Sequence, residues 1–148
     1  MLGRLNTYNG ATYLNEGALQ LGINNSLPVT TELVLSGGIF NMGGFSQTVA
    51  YLYGLWDASI NFSNSNTNTL TANYARIDYY SIGQVLTIYG WEGTYASPGS
   101  TGNYGRLIFN GTSQTAAKLG QIKFYNAVDG ITYSAIQLGT KEIVAGDL

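Results

Sequence analysis

Two segments of this chain superimpose at an offset of 21 residues. Residues 12–22 (TYLNEGALQLG) align with residues 33–43 (LVLSGGIFNMG), so that Leu14 falls on Leu35, Gly17 on Gly38, Leu19 on Phe40, Leu21 on Met42 and Gly22 on Gly43. Each copy reads strand, glycine turn, strand, glycine turn. The apolar–amide–apolar alternation of Leu19-Gln20-Leu21 and Phe40-Asn41-Met42 is the period of a half-buried strand. Ile60-Asn61-Phe62 repeats it at an offset of 20, and Leu86-Thr87-Ile88 and Leu107-Ile108-Phe109 are again 21 apart. A unit of this length is one supersecondary element that cannot bury its own apolar face, so neighbours must stack above and below it. The repeat therefore predicts an all-β right-handed parallel β-helix, a β-solenoid of about 21 residues per coil. Leu19, Leu21, Phe40, Met42, Ile60 and Phe62 form its core ladder.

Composition agrees with stacking. Charged residues are 9 % of 148, against roughly 25 % in a typical soluble domain. Hydrophobic residues reach 45 % and aromatic residues 13 %, which excludes intrinsic disorder. A charge repeated in one column of a stack would repel its copy at strand spacing, whereas stacked amides do not. Residues 116–119, followed by Gly120, read as one short helical turn with its glycine stop. Residues 63–68 and 97–103 read as loops. No compositional break divides the chain, so a single domain over 1–148 is expected, with the repeat motif at 6–54 and C-terminal coils and cap at 84–148.

The motifs of residues 6–54 (NTYNG, GALQLG, NSLP, GIFNM and GFSQTV, in that order) resemble the autotransporter-associated β-strand repeat, also called the passenger-associated transport repeat. Ala11 stands where that pattern has a further glycine, and Asn41-Met42-Gly43-Gly44 replaces its Asp-Leu-Asn-Gly. The C-terminal third, from Leu86 through Gln121-Ile122-Lys123-Phe124-Tyr125 to Glu142-Ile143-Val144, is similar to exported bacterial proteins that carry a PEP-CTERM-type sorting tail. No Pro-Glu-Pro and no hydrophobic tail follow here. The resemblance implies a parallel β-helix, export to the bacterial surface and a structural role, and it implies no catalytic residues.

The inventory of reactive groups is short. There is no His and no Cys, which removes Ser-His-Asp and Cys-His triads, disulfides and most zinc, haem and iron–sulfur ligation. No cofactor or metal is expected. A net charge of −2 offers no basic face for a nucleic acid. No apolar run is long enough for a membrane span, and residues 1–6 lack the apolar core of a signal peptide. Paired carboxylates remain as the route to an enzyme: Asp57 and Asp78, 21 apart, and Glu92 between Trp91 and Gly93. The plainer reading of all three is surface charge, so no enzyme is expected. Residues 43–47 lack the Asp of a calcium-binding glycine repeat, and 99–106 lack the Lys-Ser/Thr of a phosphate loop. Asn24, Asn61 and Asn110 open sequons of a kind common by chance in so Asn-rich a chain.

Two functional expectations follow. In the first, lightly charged termini leave open strand edges at Leu2, Leu5 and Tyr8 and at Ile143 and Val144. These pair copy to copy into a head-to-tail filament of an extracellular structural protein. In the second, Trp56, Trp91 and the tyrosines form a polysaccharide-binding surface on a monomeric cell-surface module, the plainer alternative being that they pack the interior. A passive autotransporter passenger spacer, with no activity of its own, stands beside them as an alternative.

Overall fold

The computed structural model describes residues 1–62, 67–77, 83–96, 104–111 and 113–147. Twelve strands make one sheet: β1 (Thr12–Leu14), β2 (Ala18–Gln20), β3 (Glu32–Leu35), β4 (Ile39–Asn41), β5 (Gln47–Gly54), β6 (Ala58–Asn61), β7 (Asn68–Arg76), β8 (Leu86–Tyr89), β9 (Gly105–Phe109), β10 (Ile122–Asn126), β11 (Ile131–Gln137) and β12 (Glu142–Ala145). A single helical turn, α1 (Ala116–Leu119), precedes β10 and is capped by the Thr115 side chain. The strand order is β1-β3-β5-β7-β9-β12-β11-β10-β8-β6-β4-β2. Successive strands thus alternate between two ladders. The odd strands from β1 to β9 pair in parallel, and so do the even strands from β2 to β10.

At the C-terminal end the pattern changes. β10 pairs with β11, β11 with β12, and β12 with β9, all antiparallel. The first half of β11 bonds to β10 and its second half to β12, so this one strand joins the two ladders. The expected right-handed parallel β-helix is therefore corrected: the sheet is mixed, continuous through twelve strands and nearly closed into a barrel. The cause is local. Asp129-Gly130, between two alternating apolar segments, is a hairpin signal. Gly130 sits at φ +72°, its N–H bonds to Asn126 O, and Asn126 pairs with Ile131 across the turn.

The 21-residue step holds only at the beginning. Thr12 pairs with Leu33 and Leu19 with Phe40. The step is then 20 from Phe40 to Ile60, 23 from Gln47 to Leu70, 28 from Ile60 to Ile88 and 36 from Ile88 to Phe124. Leu86 and Leu107, aligned at 21 in the sequence, lie in opposite ladders: Leu86 pairs with Ala58 and Ile122, Leu107 with Leu70 and Ile143. The widening intervals leave the strands in place and lengthen the connections.

Between the ladders lies one hydrophobic core. Its central column runs Leu19, Phe40, Ile60, Ile88, Phe124 through consecutive parallel pairs. Leu21, Phe40, Met42 and Ile60 are fully enclosed, Phe62 nearly so, and Leu19, on the outermost described pair, packs against the cluster half-buried. The uncharged polar residues serve the corners. Gln47 is buried, accepting from Leu27 N–H and donating to Leu27 O, both at 3.0 Å. Asn24 and Asn25 accept from the N–H groups of Ser46 and Thr48, each at 2.8 Å, one layer away. Asn and Gln are abundant because amides satisfy buried backbone without a buried charge. Among the described strand pairs no charge lies opposite a like charge. Glu142 is almost fully buried and faces the Arg106 guanidinium at 4.0 Å rather than guarding an exposed end.

The expected assembly edges divide accordingly. Ile143 and Val144 are wholly buried in β12, which is hydrogen-bonded to β9 on one side and β11 on the other. They form no free edge. Leu2 bridges Leu21 in parallel, donating its N–H to Gln20 O and accepting from Gly22 N–H, both at 2.8 Å. Leu5 is exposed, and so is Tyr8, whose hydroxyl meets Thr12 Oγ1. No helix among the described residues is long and apolar enough to cross a membrane.

Phe40 is 0 % exposed at the centre of the core column. Phe40→Ala should cost about 3–5 kcal/mol in denaturant unfolding, as removal of a large enclosed aromatic does. A loss below about 1 kcal/mol would place this ring outside the core.

Candidate functional site: an aromatic cleft beside the closing hairpin

The long connection after β8 and the β10–β11 hairpin face each other across a cleft of about 690 Å³. Residues 90–95 supply one wall, the turn at 126–129 with Tyr133 the other, and Tyr125 lies between them. Gly90 makes the connection possible. Its φ is +71°, and a Cβ there would overlap Phe62 O. The chain leaves β8 through that position, tight against the end of β6. Trp91 then turns inward. The indole is 3 % exposed, with its ring edge-on to Phe124 (4.9 Å between centroids) and to Tyr95 (5.1 Å). Gly93 lies so close to the indole that no side chain fits there. Trp91 Nε1 is buried and has no hydrogen-bond partner among the described residues.

Tyr95 ties the walls together. Its hydroxyl reaches Trp91 O at 3.1 Å and Tyr125 O at 2.9 Å, and its ring contacts Tyr133 at 5.1 Å. Burial, the negative charge of Asp129 and the neighbouring Tyr133 push its pKa up to about 12. Asp129 is the organising group of the turn. Its carboxylate accepts from Ile131 N–H (2.9 Å), Tyr133 Oη–H (2.8 Å) and Asn126 Nδ2–H (2.9 Å). Desolvation opposes its charge, but these donors, Ile131 first, outweigh it and hold the carboxyl below its ordinary range. The same bond to Asp129, followed by desolvation, raises the Tyr133 hydroxyl.

Such an arrangement holds a ligand more readily than it moves a proton. A carboxylate already accepting three hydrogen bonds is a weak base, and the two tyrosines stay protonated through the physiological range. Glu92 also lines the cleft, so it carries negative charge and no Lys or Arg.

The other sequence candidates lie elsewhere. Asp57 accepts from Val85 N–H at 2.8 Å and so ties the start of β6 to the start of β8. Asp78 and residues 97–103 lie outside the described residues, as does most of the 63–68 loop. Trp56 is 58 % exposed, away from the cleft lining. The plainer reading holds in part: Trp91 and Tyr133 are buried in the core, whereas Tyr51, Tyr53 and Tyr74 stack on the outer face of the odd ladder, Tyr51 lying 5.8 Å from Tyr53 and 5.3 Å from Tyr74. Trp91, weighed as an exposed platform, is instead the buried floor on which the cleft's tyrosines rest. Tyr95, Tyr125, Asp129 and Tyr133 were not singled out from the sequence. Their signal was the long interval between Leu86-Thr87-Ile88 and Ile122-Lys123-Phe124, together with the Asp-Gly turn.

The raised hydroxyl is measurable. Tyr95 should ionise about two pH units above a free tyrosine, whose pKa is about 10. Because its folded pKa lies above its unfolded one, the stabilising effect is whole below pH 10 and lost as pH climbs toward 12. The phenolate absorbance difference between wild type and Tyr95→Phe should show a midpoint near 12; a midpoint near 10 would place this hydroxyl in water.

Comparisons with protein-family models, with curated proteins and with solved structures return no match to this chain.

Proposed function

We propose that the cleft binds polysaccharide and that the protein acts as a binding module at the bacterial cell surface. The observation that carries this reading is the convergence of Tyr95, Tyr125, Tyr133 and Asp129 around one open cleft floored by Trp91. Sugar rings present apolar C–H faces that pack on aromatic rings, and hydroxyls that bond to carboxylate, amide and phenol groups. A concave site with aromatic walls and a few fixed polar groups suits that chemistry. Asp129 is an acceptor already held in place by its three donors, and fixed groups lose less freedom on binding.

This reading is preferred to head-to-tail assembly because strand-to-strand growth needs a free edge at each end. β12 and β11 are each paired on both sides, and β10 and β9 likewise. The cleft, by contrast, lies open to solvent beside these closed strands.

Affinity electrophoresis through gels carrying neutral polysaccharides should retard the wild-type protein. Tyr125→Ala removes one aromatic face and should weaken binding by about tenfold or more, a change of about 1.4 kcal/mol. Equal retardation of Tyr125→Ala and wild type, or no retardation by any neutral polysaccharide, would overturn the reading.

A further inference from the structure

The cleft is one end of a longer surface. The outer face of the even ladder carries two rows of side chains set by the parallel register. One row is Ala18, Ile39, Ser59, Thr87 and Lys123; the other is Gln20, Asn41, Asn61 and Tyr89. Ile39, Ser59, Asn61 and Tyr89 line a second concavity of about 400 Å³. Tyr89 is 39 % exposed, and its ring lies 5.2 Å from that of Tyr125, which lines the first cleft. The two concavities thus meet at a pair of touching tyrosines.

We infer that this strip, from Asn61 over Tyr89 and Tyr125 into the cleft, binds several consecutive rings of a neutral, ribbon-shaped β-1,4-linked polysaccharide lying across the strands. The inference rests on the glycan reading of the cleft and names the class of ligand. Three features carry it. The first is spacing: side chains in a row repeat at the distance between strands, ~4.8 Å, close to the length of one pyranose ring. A flat chain crossing the ladder meets one side chain of the row at each ring. The second is chemistry. Tyr89 and Tyr125 offer aromatic surface, while the Asn61 amide has no side-chain partner among the described residues and is left to bond hydroxyls. The Asn41 Oδ1 beside it is already engaged by Gly43 N–H at 3.0 Å.

Charge is the third feature. The second concavity is lined by no charged residue, and the cleft by Glu92 and Asp129 alone. The cation of this outer face, Lys123, is held to Ser134 Oγ at 2.7 Å. A polyuronate would bring its carboxylates toward Glu92 and Asp129 with no matching cation in either lining, so a neutral chain is favoured.

Calorimetric titration with two-ring and six-ring oligomers of β-1,4-linked glucose and N-acetylglucosamine tests this, with polygalacturonate as the acidic comparison. The six-ring oligomer of at least one series should bind about tenfold or more tightly than its two-ring counterpart, and polygalacturonate should bind more weakly than either. Tyr89→Ala and Asn61→Ala alter solvent-facing side chains. They should bring the six-ring affinity to within about twofold of the two-ring value and leave two-ring binding within about twofold of wild type. If two-ring oligomers bind and Tyr125→Ala weakens them, but length adds nothing, the strip fails and the cleft stands. Tighter binding of polygalacturonate, or an equal loss for both lengths in Tyr89→Ala, also overturns the strip. Binding of none of these probes overturns the strip, and the cleft then falls as well unless another neutral polysaccharide retards the wild type and not Tyr125→Ala.

Discussion

Every strand in a parallel ladder offers a row of backbone donors and acceptors to the next, and a ladder must end somewhere. How it ends decides the rest of this molecule. The two ladders grow side by side from β1 and β2, each strand up to β10 pairing with the strand two before it. At the C-terminal end the chain reverses at Asp129-Gly130 and sends β11 across both ladders. The open rows of β9 and β10 are satisfied by β12 and β11, and the apolar interior is covered in the same step. An unpaired edge would carry the cost of exposed backbone groups and invite other chains. Closure by a hairpin removes both problems at this end, and the buried charge among the described residues, Glu142, faces Arg106.

The same hairpin makes one wall of the cleft. Its turn must protrude beyond the last even strand, because Asn126 and Ile131 are the final pair of β10 and β11. Opposite it, residues 90–95 form the second wall. Tyr95 links the walls: its hydroxyl reaches Tyr125 O across the cleft and its ring contacts Tyr133. Asp129 serves the turn and the cleft at once: the hydrogen bonds that shape the hairpin also keep its carboxylate ionised.

Much of the sheet's first half is written in local pattern. Leu14 over Leu35 and Leu19 over Phe40 are aligned by sequence and paired in the sheet. There the β1–β2 and β3–β4 corners, residues 15–17 and 36–38, are equal in length and each ends in glycine. The pattern fails where connections lengthen. Leu86 and Leu107 keep a 21-residue spacing by coincidence, since β8 and β9 belong to opposite ladders. Period-2 alternation records which face of a strand is buried and carries no information about strand direction, so β10, β11 and β12 all read as C-terminal coils, although only β10 continues the parallel ladder. The directional signal was Asp129-Gly130, two residues outside the apolar pattern. The cleft was less legible still. Trp91 attracts notice by rarity, but its neighbours Tyr95, Tyr125 and Tyr133 are spread over 39 positions and meet only because the hairpin folds back. Ile143 and Val144 illustrate the converse: near the end of the chain they resemble an edge, yet the reversal places them between two strands.

The central claim is that antiparallel β11 and β12 seal the sheet. Residue-resolved amide hydrogen exchange tests it most directly, because slow exchange requires amides that are bonded and shielded until much of the fold opens. The N–H groups of Ile143 and Val144, flanked by β9 and β11, should be protected to a degree comparable with those at the centres of β5 and β7. Exchange of Ile143 and Val144 as fast as that of the exposed turn at 127–129 would mean that β12 is a frayed edge, and the closure described here would be wrong.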